Sequence, residues 1–175
     1  MTQLLRFTLL VIIMTSCQIK RDTKTTIDMT VFDIDKLTEF AISEIKNFAD
    51  SHPDEKFYGF SIDANLLCMN SIEEFEKSLK NYQERWGGYD TDEKIQGLKL
   101  NTGDWEYRGF SEFNDSVGFN MESYLDHYHS DEEEQVDSDY AKAMDEVVDR
   151  LKKSDAFDKL NKTKDFFVNR VEHDY

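Results

Sequence analysis

Phe57-Tyr58-Gly59-Phe60-Ser61-Ile62 and Leu66-Leu67-Cys68-Met69 stand on either side of Asp63-Ala64-Asn65, and this arrangement constrains the fold more than any other stretch. The first run is aromatic and β-branched, the second continuously apolar, and the three residues between them suit a turn, so the spacing predicts a β-hairpin with a buried second strand. Helical patterns flank it on both sides. Ile34, Leu37, Ala41, Ile45 and Phe48 recur at three- and four-residue steps, with Asp33 as N-cap and Pro53 closing the segment after Ser51. Beyond the hairpin, Ser71-Ile72-Glu73-Glu74 is a capping box. Ile72, Phe75, Leu79, Tyr82 and Trp86 then share one helical face, and Gly87-Gly88 stops the helix.

Later segments carry weaker signals. Lys94 to Leu100 alternates and reads as a strand; Asn101-Thr102-Gly103-Asp104 is a turn cluster. Trp105 to Phe113 is aromatic-rich and stays open between helix and strand. Phe119, Met121, Tyr124 and Leu125 suggest a short helix, and Ser130 to Glu134 a polar loop. Tyr140, Met144, Val147 and Leu151 place a helix from about Asp139 to Lys153, and Ser154 caps a further turn through Leu160. Phe166, Phe167, Val168 and Val171 end the chain with a strand. The class is α+β: one small domain over residues 33–175, a mostly antiparallel sheet packed with several helices. A chain of 175 residues is long enough for one core and too short for two ordinary domains.

The amino terminus reads as an address rather than as fold. Arg6 precedes an unbroken apolar run from Phe7 to Met14, far short of the roughly 20 residues a membrane-spanning helix needs. The run ends in Met14-Thr15-Ser16-Cys17, which resembles the lipobox of bacterial lipoproteins, with Met14 where Leu is usual. Residues 1–16 are therefore expected to be a lipoprotein-type signal peptide. Cys17 becomes the acylated (palmitate-type) first residue, and 17–32 a polar tether in the bacterial cell envelope. Membrane association is expected through this anchor only, on the periplasmic or surface side. Cys68 is then alone, and its neighbours Leu66, Leu67 and Met69 mark it as a small core residue.

With these segments placed, the chain resembles the bacterial domain-of-unknown-function 4303 family. The likeness rests on Phe57 to Ile62, on Asn70-Ser71-Ile72-Glu73-Glu74-Phe75, on Asn101-Thr102-Gly103-Asp104-Trp105, and on the ending Val171-Glu172-His173-Asp174-Tyr175. The resemblance implies a small α+β domain and, for some relatives, a toxin-immunity-like role. It brings over no catalytic residue.

Charge directs the functional reading. Lys and Arg total 21 against 37 Asp and Glu, a formal net charge of −16, so no nucleic-acid partner is expected. Between Trp105 and Asp139 eleven acids face Arg108 alone, and seven aromatic residues lie among them. Acids draw in a basic partner at long range and aromatics bury against it, so this region is the candidate partner surface. Trp105, Tyr107 and Tyr128 are the expected packing residues and Glu132, Glu133 and Glu134 the steering residues. The expectation is a non-enzymatic acidic binding module for a basic protein partner. The alternative is an envelope hydrolase with a carboxylate site near Asp104, over the floor of Trp105. No cofactor is expected. Asp126-His127-Tyr128-His129, followed by Asp131, has donors that suit Zn²⁺, but histidines two apart diverge on a helix and share a face only on a strand. No metal is therefore expected, and a metal-dependent role is the third and weakest reading.

Overall fold

The computed structural model describes residues 31–171. The segment 1–16, the lipidation at Cys17, most of the 17–32 tether and the ending Glu172 to Tyr175 lie outside the described residues. The elements run α1 (Ile34–Ser51), β1 (Lys56–Asp63), β2 (Leu66–Ser71), α2 (Ile72–Trp86), α3 (Asp92–Leu100), β3 (Tyr107–Glu112), α4 (Met121–His129), α5 (Glu132–Asp137), α6 (Asp139–Lys153) and β4 (Asn161–Val171). Helices and one sheet make an α+β domain, as the sequence predicts.

The sheet order is β3-β2-β1-β4. β1 pairs with β2, and β2 with β3, antiparallel. β4 lies parallel to β1, so the sheet is mixed. Successive strand residues point to opposite faces, which splits the apolar residues into two sets. Phe57, Phe60, Ile62, Leu67 and Met69 meet α1 and α6 in the main core. Tyr58, Cys68 and Trp105 form a smaller cluster on the other face, with Ile72 and Phe75 of α2 and Phe167 of β4 against it.

Local chemistry explains the helix ends. The Lys36 N–H donates to Asp33 Oδ1 at 3.2 Å, and the Glu74 N–H to Ser71 Oγ at 3.2 Å. Gly87 ends α2 at φ 58°, a left-handed conformation that costs glycine nothing. At Gly59 the need is different. A Cβ there would stand 2.4 Å from the Phe167 ring, so the β4 aromatic sits directly on a β1 backbone without a side chain.

Three expectations are corrected. Lys94 to Leu100 is helical rather than a strand: the Thr91 hydroxyl caps it, and Asp92 and Glu93 stand in its first turn, where a helix favours negative charge. The acidic run expected as a loop contains α5, capped by Asp131, which accepts from the Glu134 N–H at 3.1 Å. Within Trp105 to Phe113, open between helix and strand in the sequence, Tyr107–Glu112 is strand β3. Phe32, read as part of the tether, is 2% exposed, with its ring 5.4 Å from that of Phe119, so the core begins slightly earlier than the sequence suggests.

Candidate functional site

The six residues expected to form one partner surface lie in three different places. Trp105 is 4% exposed, and its Nε1–H donates to the Lys99 carbonyl at 3.0 Å. The Tyr58 hydroxyl donates to the same carbonyl at 2.8 Å and accepts from Asn70 Nδ2 at 3.0 Å. Trp105 and Tyr58 thus satisfy an end carbonyl of α3 and fasten that helix to the sheet. Burial pushes the Tyr58 phenol upward, and the Asn70 donor opposes that.

Tyr107 faces the main core. Its ring stands 5.0 Å from Phe48 and 4.8 Å from His52, and its hydroxyl donates to Glu55 Oε1 at 2.5 Å. Ser71 Oγ donates to the other Glu55 oxygen at 2.6 Å. Burial first, then the Glu55 carboxylate, raise the Tyr107 phenol above its ordinary range. This group clamps the loop before β1 to the end of β2 and the start of β3.

Tyr128 stands near the end of α4, and Glu132, Glu133 and Glu134 open α5, with Glu132 lining a cleft with Val136, Asp145 and Arg170. α4 and α5 both pack on α6, and their outer sides face solvent. On α4, Met121 is 39% exposed, Leu125 45% and Tyr128 37%, and Val136 of α5 is 74% exposed. Met121, Leu125 and Tyr128 fall at i, i+4 and i+7, so they form one apolar stripe along the helix. Glu122 and Asp126 of α4, Asp131, and Glu132, Glu133 and Glu134 of α5 are exposed. From Gly109 to Ala141 there is no Lys or Arg. Sequence reasoning missed Met121, Leu125 and Val136. Their helical spacing was present, but only tertiary packing shows which face of α4 turns outward.

His127 and His129 diverge on α4: His127 is 4% exposed, whereas His129 is exposed. His127 Nδ1 lies 2.8 Å from Ser138 Oγ, and its ring packs 4.6 Å from Tyr140. Burial, and then the Arg170 guanidinium, lower its pKa, so the neutral ring is the native form near pH 7. Cys68 is fully buried, and desolvation pushes its thiol to about 11, far from thiolate chemistry at neutral pH.

Asp104 lines an open cleft of about 480 Å³ between the end of α2 and α3, together with Gly87, Gly88, Tyr89, Lys94, Gly97, Leu98 and Asn101. The Tyr82 hydroxyl donates to Asp104 Oδ1, and Asn101 Nδ2 donates to Oδ2 at 2.6 Å. The bond to Asp104 is the main reason the Tyr82 phenol is raised to about 12. Asp104 is the one carboxylate among the described residues lining the cleft. Paired-carboxylate hydrolysis needs a second across a gap of about 5–10 Å.

The fold is a small α+β domain with two apolar clusters and an acidic outer helix face. The family described as Domain of unknown function (DUF4303) matches residues 37–175, and the chain belongs to it. No curated protein and no solved structure matches the chain.

Proposed function

We propose that this protein is a non-enzymatic acidic binding module, held at the bacterial envelope through lipid at Cys17, that docks a basic protein partner on the outer face of α4 and α5. Neutralising a toxin by occlusion is one form this takes. The observation that carries the reading is the apolar stripe of Met121, Leu125 and Tyr128 set inside a field of one sign. Single exposed apolar residues need no explanation, but three at i, i+4 and i+7 on one helix form a continuous stripe. Glu132, Glu133 and Glu134 steer a cationic surface inward, and the stripe supplies the area that is dehydrated on contact. Trp105 and Tyr107 lie apart from this surface and fix α3 and the start of β3. The hydrolase reading near Asp104 has less support, because a single carboxylate already held by two donors suits binding better than acid–base exchange.

The test is capture from envelope extract at low salt and at about 0.5 M salt, with the parent chain beside two variants. One variant carries Met121→Asp and Leu125→Asp, and the other Glu132→Gln, Glu133→Gln and Glu134→Gln. A basic protein held stoichiometrically by the parent, released by salt and lost with the stripe variant, is expected. The Gln variant should slow association while changing dissociation little. A partner held equally by all three chains, at both salt concentrations, would sink the proposal.

A further inference from the structure

We propose that the cleft between α2 and α3 is a second binding site, built for the ring of a neutral sugar. It is separate from the α4–α5 surface and does not rest on it.

Gly97 is the starting observation. It sits inside a nine-residue helix, where glycine is less stable than alanine. Its φ is ordinary, and a Cβ placed there would meet nothing within 4 Å. Neither backbone nor packing therefore asks for glycine; what its missing side chain leaves is open space on the cleft wall. A local rule broken without a local reason is characteristic of a functional site. Gly87 and Gly88, also on the cleft, have positive φ that itself favours glycine, and they add to the open wall: a Cβ at Gly87 would meet nothing within 4 Å and one at Gly88 only Lys94 Nζ at 3.9 Å.

The aromatic ring that lines the cleft is Tyr89. The Tyr82 ring backs it at 5.0 Å and in turn lies 4.8 Å from Trp86, which ends α2 and is 65% exposed. The polar groups of the cleft are already balanced: Asp104 accepts from Tyr82 and Asn101, and Lys94 Nζ pairs with Asp90 Oδ1 at 3.2 Å. A hydroxyl can join this set without displacing any partner, because each Asp104 oxygen keeps a lone pair and Lys94 keeps further N–H donors. A pyranose ring matches this set, with C–H faces that stack on aromatic rings and rim hydroxyls that both donate and accept. The volume lies within the range of small-molecule sites.

Of the two tryptophans, Trp86 is 65% exposed and Trp105 is buried, so Trp86 is the more solvent-sensitive emitter, and a Trp86→Phe chain isolates its share of any change. The experiment titrates the full chain with cellotriose, maltotriose and chitotriose up to about 10 mM, following emission and the amide NMR signals of Gly87, Gly88 and Gly97. Saturable binding of at least one sugar is expected, with all three glycine amides shifting. Asp104→Asn should weaken it about tenfold or more. Gly97→Gln suits the helix and fills the cleft, so it should abolish binding while the thermal midpoint holds or rises. The Glu132, Glu133 and Glu134 to Gln variant should bind sugar as the parent does. No saturation with any of the three sugars would overturn the proposal. So would a folded Gly97→Gln chain that binds like the parent, or saturation by free glycine or lysine in place of sugar.

Discussion

Gly59 and Gly97 are the same residue with opposite consequences. At Gly59 a methyl would be driven into the Phe167 ring, which packs on Tyr58 and Trp105 and cannot swing away freely. Gly59→Ala is expected to destabilise the fold by about 1–3 kcal/mol, the usual range for forcing atoms into a packed site. At Gly97 the same change meets open space in a helix, so Gly97→Ala should stabilise by roughly 0.5–1 kcal/mol. Urea unfolding of both variants against the parent checks the contrast. Equal signs would mean that one of the two neighbourhoods is misread. Nothing in the sequence separates the two glycines, because each lies within an apolar pattern; the difference is what another element places against them.

At the scale of elements, the clearest joint is the clamp on Glu55. Ser71 accepts from the Glu74 N–H in the first turn of α2 and also donates to Glu55, and Tyr107 donates to the other carboxylate oxygen. Ser71→Ala should cost about 1–2 kcal/mol through the lost cap and hydrogen bond, and Tyr107→Phe about 1 kcal/mol. Because both donors serve one carboxylate, the double variant should depart from the sum of the two, which a denaturation cycle measures. Strict additivity would show that the carboxylate is indifferent to them. The Ser71 cap was legible in the sequence; its second role was not, since Glu55 and Tyr107 come from segments with no sequence relation to it. Elements with strong periodicity, α1, α2, α6 and the hairpin, were legible too. α3 was misread as a strand because Gly97 interrupts the apolar spacing of Ile95 and Leu98, and the cap at Thr91 carried the better signal. α5 was misread because a run of acids looks like solvent-facing loop, although acids in a first turn are what a helix N-terminus favours.

For the whole molecule, charge of one sign pulls in two directions. A net charge of −16 strains the compact state by self-repulsion and attracts cationic surfaces at a distance. Screening weakens both effects. Raising salt to about 0.3–0.5 M is therefore expected to lift the thermal midpoint by a few degrees, while it weakens capture of a basic partner. Scanning calorimetry and capture on the same salt series test the two together. A midpoint that falls with salt would mean that attractive pairs such as Arg150 with Asp35, or Arg170 with Asp145, outweigh the repulsion.

The sequence by itself determined the class of fold, the hairpin, the main helices and the acidic character of the outer region, because capping, periodicity and charge act over a few neighbouring residues. Tertiary structure alone decided the parallel seat of β4 beside β1, about a hundred residues away along the chain, since pairing at that distance depends on what α1 and α6 bury between them. It also decided that Trp105 turns inward while Leu125 and Trp86 face water. Which side of an amphipathic segment is covered is set by the neighbours it meets, and these are chosen by the packing of the entire domain.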